Sequence, residues 1–248
     1  MIIDYDMLVS ILKAKEKTLL RTLPKVLESY YHKDKIHTGA DFIYVEGDIP
    51  VALVAHLDTI YSSPPAWLFH DSTQEILWTP EGLGADDRAG VYGILMLIME
   101  GHRPSIIFTT GEEQGGKGAI NFLSQYPNPL VETNFLIELD RQGFNDAVYY
   151  DCDNPEFERY INSYGFYTAT GIFSDISFIA PKWGIAAVNL SIGYFNEHTP
   201  QEYLCYSYTQ ETIEKVNHIL ESYHTEKFYY KEKDELWHRD EEIWQSST

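Results

Sequence analysis

The sequence predicts an α/β protein: a mixed, mostly parallel sheet with helices on both faces, a three-layer α/β/α arrangement. Three observations carry this. Short apolar runs such as residues 51–55 and 105–110 are unbroken rather than alternating, which is the pattern of strands buried on both faces. Helical patterns separate these runs along the chain, as crossover connections in a parallel sheet require. The 248 residues, 44% of them apolar, suffice for one large α/β domain or two small ones.

Taken in order, residues 4–31 read as helix. Met7, Leu8, Ile11 and Leu12 form one apolar stripe, and Leu19, Leu20, Leu23, Val26 and Leu27 another, with Pro24 expected to kink the helix or start a second one. Residues 42–45 and 51–55 read as strands, and the second ends in His56-Leu-Asp-Thr59. Residues 61–80, rich in proline and aromatics, read as a loop with room for a short hairpin. Gly82-Leu-Gly-Ala-Asp-Asp-Arg-Ala-Gly90 leads into an apolar helix that Gly101 and Pro104 end. A strand over 105–110, a turn bearing Glu112 and Glu113, and a helix over 119–126 follow. Next come strands over 134–139 and 147–151, the latter toward the sheet edge, and helices over 155–164 and 174–180. A strand over 186–192 and a helix over 209–223 complete the pattern. From Glu226 the chain turns polar, punctuated by Phe228, Tyr229, Tyr230, Trp237 and Trp244; it reads either as a disordered tail or as a helix docked by its aromatics.

The formal net charge is −20 and the pI near 4.7. Such a surface repels nucleic acid and anionic membranes and attracts divalent cations. Two cysteines, Cys152 and Cys205, make neither a disulfide framework nor a structural zinc cluster and read as buried thiols of a reduced compartment. Asp4 and Asp6 stand where a secretory leader needs bases, and the longest apolar run, 91–99, is too short to cross a membrane. A soluble, cytoplasmic protein is expected, with no nucleic-acid or membrane partner and its oligomeric state left open.

Phe108-Thr-Thr-Gly-Glu-Glu-Gln-Gly-Gly-Lys-Gly118 sets Glu112 and Glu113 at the carboxyl end of an apolar strand, where open α/β folds place their sites. Like charges side by side repel, so a positive partner is expected there. Gly111-x4-Gly116-Lys117 nearly matches a phosphate-binding loop. The next residue is Gly118 rather than serine or threonine, however, and the two acids lie where phosphate needs positive potential. His56, Asp140 and His198 also follow apolar strands, and Asp86 opens a helix; in a mostly parallel sheet these positions converge on one edge. Carboxylates and imidazoles suit zinc, manganese or cobalt. Asp86, Glu113 and Asp140 with neutral His56 and His198 set three negative charges against two dications, and a pair of ions suits hydrolysis. Glu112 is left beside them as general base, and Asp58 can accept the ring proton of His56. Singly, each residue has a plainer role: Asp86 as a helix cap, Asp87 as a cap or hydrogen-bond acceptor, Glu112-Glu113 as a solvated turn. His32, His37, His70, His102, His218, His224 and His238 read as structural. The joint order at strand-to-loop switches singles out the rest.

At these residues the sequence resembles the co-catalytic zinc peptidases, the clan of peptidase T, carboxypeptidase G-like enzymes, bacterial leucyl aminopeptidases and tetrahedral aminopeptidases. His56-Leu-Asp58-Thr resembles the clan's first histidine with its orienting aspartate, and Gly84-Ala-Asp86-Asp87-Arg-Ala-Gly90 its bridging aspartate. Gly111-Glu112-Glu113 resembles the base followed by a ligand, Glu138-Leu-Asp140 the fourth element and Asn196-Glu-His198-Thr the last ligand. The resemblance implies a zinc-dependent exopeptidase fold, one metal at His56 and Asp140, the other at Glu113 and His198, Asp86 bridging, and a strained or cis peptide after Asp86. Phe173-Ser-Asp175 resembles a serine-aspartate step near the clan's site. Only 57 residues lie between Asp140 and His198 and 27 between Asp58 and Asp86, so the domains that clan members insert at these places are missing. A single catalytic domain over 1–225 with an acidic aromatic tail over 226–248 is expected. Loops 61–80 and 164–178 are then left to shape the substrate pocket, with Tyr61, Trp67, Phe69, Tyr167 and Phe173 as candidate lining. The implied function is a dinuclear metallopeptidase cleaving an amide bond, an aminopeptidase or di/tripeptidase with two divalent ions, zinc first and manganese or cobalt as alternatives. The alternatives are deacylation of an N-acylated amino acid and a binding protein that has lost catalysis.

Overall fold

A computed structural model of the protein describes residues 3–233. The chain opens with helices α1 (Tyr5–Leu12) and α2 (Glu16–Leu27) and short strands β1 (Ile36–Thr38) and β2 (Phe42–Val45). Strand β3 (Val51–His56), the hairpin β4 (Phe69–Asp71) and β5 (Ile76–Trp78), and helix α3 (Ala85–Met99) follow. Then come β6 (Ser105–Thr109), α4 (Lys117–Gln125), β7 (Phe135–Arg141), β8 (Asp146–Val148), α5 (Pro155–Asn162), β9 (Tyr167–Ala169) and α6 (Ile176–Trp183). The last elements are β10 (Ala187–Ser191), β11 (Tyr194–Phe195), β12 (Tyr203–Cys205) and α7 (Tyr206–Glu221).

Eight strands form the main sheet in the order β1-β2-β6-β3-β7-β10-β8-β9. Its centre, β6-β3-β7-β10, is parallel, and antiparallel pairs flank it at β2-β6 and β10-β8. The period of two along a strand sorts side chains to two cores. In β3, Val51, Leu53 and Ala55 face the core that contains α1, α2, α3, α5 and α7, while Ala52 and Val54 face the core under α4 and α6. Helix α3 is buried along its length, from Ala85 to Ile98. That explains an apolar pattern with no polar face: sheet lies on one side of it and α1 and α7 on the other. From β3 the chain steps to β6 on one side and then, through α4, to β7 on the other. The strand order therefore reverses at β3, and a crevice opens at the carboxyl ends of these strands.

The first helix divides at residues 13–15, not at Pro24, which α2 carries in its last turn. The cause is remote. The buried Arg88 guanidinium donates from Nη1 to the carbonyls of Ile11 and Ala14, at 3.2 and 2.7 Å, and so satisfies the end of α1. The hairpin in the proline-rich loop joins a second sheet, β11-β12-β5-β4. Leu77, Leu204 and Tyr194 on its inner face are buried. Its outer face carries a cross-strand row, Phe69 opposite Trp78 opposite Tyr203 opposite Phe195. Residues 226–233 run extended along the domain. Phe228 is buried against Phe135 and Phe157, and its backbone bonds to Asn134 and Ala186. Trp237, Trp244 and His238 lie outside the described residues. Among the described residues no helix is long and apolar enough to cross a membrane.

Candidate metal centre

Strand ends bring the sequence-selected residues to one crevice. His56 is the last residue of β3, Asp140 lies near the end of β7, and Glu112 and Glu113 sit in a short 3-10 turn after β6. His198 lies in the loop between β11 and β12, and Asp86 precedes the regular part of α3. Two groups of donor atoms result: His56 with Asp86 and Asp140, and Asp86 with Glu113 and His198. Asp86 belongs to both. Its Oδ1 lies 3.1 Å from His56 Nε2 and its Oδ2 3.0 Å from His198 Nε2. Asp140 Oδ1 is 3.4 Å from His56 Nε2, and Glu113 Oε1 is 3.0 Å from His198 Nε2. Donors spaced this way match the edges, about 3.3 Å, that a tetrahedral ion with bonds of about 2.0–2.1 Å requires. The donor set thus fits two divalent ions bridged by one carboxylate.

Supporting contacts hold these side chains. The carboxylate of Asp58 stands 3.3 Å from His56 Nδ1 and accepts the N–H groups of both Glu112 and Glu113, each at 3.3 Å. One aspartate thereby orients the histidine and fixes the turn that carries the acids. Asp87 accepts the N–H of Gly90 at 2.9 Å, capping α3, and that of His56 at 3.2 Å, tying helix to strand. Asp140 is held by Tyr194 Oη at 3.2 Å and Ser174 Oγ at 3.1 Å, and its backbone is paired on both sides by the Asn189 amide. The peptide between Asp86 and Asp87 is cis. Gly118 is glycine because a Cβ there would lie 2.1 Å from the Thr110 carbonyl, so α4 can begin directly against β6.

Sequence reasoning missed several contributors. Glu202 is buried, and its two carboxylate oxygens accept the N–H groups of Gly84 (2.7 Å) and Asp86 (3.1 Å), fixing the turn that presents the shared aspartate. Nothing in its polar loop distinguishes it. Asp175, which the sequence placed near the site without a role, is buried and bonded to Thr109; Glu138, recognised only as part of Glu138-Leu-Asp140, is buried and bonded to Ser174, and each keeps one oxygen without a partner. For Glu138 a signal existed: a lone acid inside an apolar strand. A cavity of about 330 Å³ opens over the donors, lined by Glu112, Tyr150, Tyr194, Arg141, Ile172 and Phe173 among others. Of the expected aromatic lining only Phe173 takes part. Tyr61 instead donates to the Thr199 carbonyl at 2.8 Å, Phe69 stacks on Trp78 in the second sheet, and Trp67 and Tyr167 point to solvent because their segments do not fold over the crevice.

The electrostatics are those of crowded acids. Burial, reinforced by Asp140, Asp175 and Asp86, pushes the Glu112 carboxyl up to about 9. Burial also raises Asp140 to about 6, with Asp86 adding to it. Hydrogen bonds to Asp86 and Glu113 raise His198 to about 11. For His56, burial opposes the charged ring, but Asp140, Asp58 and Asp86 outweigh it and raise it well above its ordinary value. Asp86 moves the other way: burial disfavours its charge, yet the two histidines hold it below the usual range. The cluster retains protons that bound dications would displace.

Comparison with known proteins bears on the fold and the family. The comparison with curated proteins found no match. Among solved structures, aminopeptidase PepT from Bacillus cereus ATCC 10987 is 14% identical with a TM-score of 0.68, over 87% of this chain and 96% of that one. The TET aminopeptidase of the marine sediment archaeon Thaumarchaeota archaeon SCGC AB-539-E09 is 11% identical with a TM-score of 0.70, over 88% and 97%. Pyrococcus horikoshii TET1 peptidase is 13% identical with a TM-score of 0.63, over 86% and 99%. At these identities the likeness establishes the fold. The profile of peptidase family M28 matches residues 44–177, more than half of the chain and the stretch that carries His56, Asp86, Glu112, Glu113 and Asp140. On that match the chain belongs to peptidase family M28, a family of metal-dependent peptidases.

Proposed function

We propose that this chain hydrolyses the peptide bond of short peptides, as an aminopeptidase or di/tripeptidase, using two divalent ions, zinc in the first place. His56 and Asp140 would hold one ion, Glu113 and His198 the other, and Asp86 both. The observation that carries this is the Asp86 carboxylate, which offers one oxygen to each histidine, with Glu112 on the wall of the same cavity. When bound, the ions lower the pKa of water and polarise the substrate carbonyl. Glu112 takes a proton from the attacking water and delivers it to the leaving nitrogen. Its carboxyl lines the cavity, where it can meet both the water and the leaving nitrogen. Asp58 keeps His56 in the tautomer whose Nε2 faces the centre. The catalytic unit would extend beyond residue 225, since Phe228 packs into its core, and the free, buried thiols Cys152 and Cys205 fit a cytoplasmic location.

The test is Glu112→Gln. It should keep its metal content and lose turnover of a di- or tripeptide by about 10²–10⁴-fold, the usual contribution of a general base. Undiminished turnover in a clean preparation refutes the assignment. A panel of peptides with free and blocked amino termini separates an aminopeptidase from the second reading, a deacylase of N-acylated amino acids.

A further inference from the structure

Arg141 directly follows Asp140 at the end of β7, and its side chain lines the cavity over the candidate metal centre. It is about one quarter exposed. Among the described residues its guanidinium makes no hydrogen bond, and its Nε is buried without a partner. Its nearest charged neighbour, Asp146 Oδ2, stands 3.9 Å from Nε, beyond hydrogen-bond distance, and Asp146 is not part of the cavity wall. The contrast with the other inward-facing arginines is sharp. Arg88 donates to the carbonyls of Ile11 and Ala14, and Arg103 to those of Tyr30, Ile98 and His102. Those two are consumed by the fold, whereas Arg141 keeps its planar fork of donors for something that enters the cavity. In a chain of net charge −20 the surrounding acids favour the charge of this guanidinium, and its planar fork of donors fits a ligand carboxylate bidentately.

We propose that Arg141 forms a carboxylate subsite, and that the peptide cleaved is a short one whose free C-terminal carboxylate docks there. The inference rests on the peptidase function proposed above and names its substrate class. Arg141 and the candidate metal donors line one cavity of about 330 Å³, and an extended peptide advances about 3.3–3.6 Å per residue, so a carboxylate anchored on Arg141 belongs to a residue close beyond the bond cleaved. Tyr150 on the same wall accepts from the Asn189 amide and keeps its own hydroxyl proton to donate beside the carboxylate, and Ile172 and Phe173 give the C-terminal side chain an apolar surface.

The experiment compares one dipeptide and one tripeptide, each as the free acid and as the C-terminal amide, on the metal-loaded protein. The acid should be favoured in kcat/KM by about tenfold or more, as a charge-assisted hydrogen bond provides. In Arg141→Gln that ratio should collapse toward one, and Arg141→Lys should fall between, keeping the charge and losing the fork. Equal treatment of acid and amide by the natural protein overturns the proposal, as does a ratio that survives in Arg141→Gln. A second readout does not depend on turnover: calorimetric binding of the same four ligands to metal-loaded Glu112→Gln protein. Preferential binding of the acids without hydrolysis by the natural protein would sustain the subsite and overturn the peptidase function. Hydrolysis with no preference in either measurement would sustain the peptidase function and overturn the subsite.

Discussion

Glu202 shows how a single residue outside the candidate ligand set can hold the turn that presents one of its members. Its buried carboxylate accepts two backbone N–H groups in the turn that presents Asp86. Glu202→Ala leaves both donors buried without an acceptor, at a cost of roughly 1–3 kcal/mol each. The expected outcome is a lower melting temperature and weaker binding of both ions, read by calorimetry on the variant. Unchanged affinity would mean that the turn holds its shape without the clamp. Asp58→Ala should weaken metal binding by about 10–100-fold, the usual loss when a ligand's supporting partner is removed. At this scale the sequence was informative where a chemical type stood out against its surroundings. Acids and imidazoles closing apolar strands are conspicuous, so His56, Glu112, Glu113 and Asp140 were legible. Glu202 was not, because an acid in a polar loop looks solvated until the fold buries it. Arg141 was not, because a guanidinium without hydrogen-bond partners is visible only in the fold.

The turn after β6 is an element whose glycines do two different jobs. Gly115 has φ of +83° with nothing near a would-be Cβ, whereas a Cβ on Gly118 would lie 2.1 Å from the Thr110 carbonyl. Gly115→Ala should therefore cost only the left-handed backbone term, about 1–2 kcal/mol. Gly118→Ala must push α4 away from β6, adding overpacking of about 1–3 kcal/mol, and should disturb the Glu112-Glu113 turn. Denaturant midpoints and activity measured on both variants check the order; a milder Gly118→Ala would contradict it. The central strands were readable because burial on both faces leaves an unbroken apolar run. Elements completed by distant partners were not: the end of α1 depends on Arg88, and β11 and β12 are short strands defined by the hairpin they join. Strand β9, at the sheet edge, follows a helix in a polar segment and carried no period of its own.

For the whole molecule, charge and metal are linked. In the metal-free protein Glu112 is raised from 4.5 to about 9 and His198 from 6.5 to about 11. A group raised on folding stabilises the folded state fully below its unfolded pKa and loses that contribution as pH rises through the folded one. Both groups therefore act in the same direction between pH 6.5 and 9. Chelated protein should melt at progressively lower temperature across that interval, while zinc-loaded protein, whose ligands are already deprotonated, should show a much flatter profile. A chelated protein whose melting temperature rises over the same range would contradict the burial described for Glu112. The central claim, that one carboxylate joins two cation sites, is tested most directly by calorimetric titration of metal-free protein with zinc. Two ions per chain are expected, falling to one in His56→Ala and in His198→Ala and with both sites weakened in Asp86→Ala; a single ion per chain, or two that Asp86→Ala leaves untouched, would contradict it.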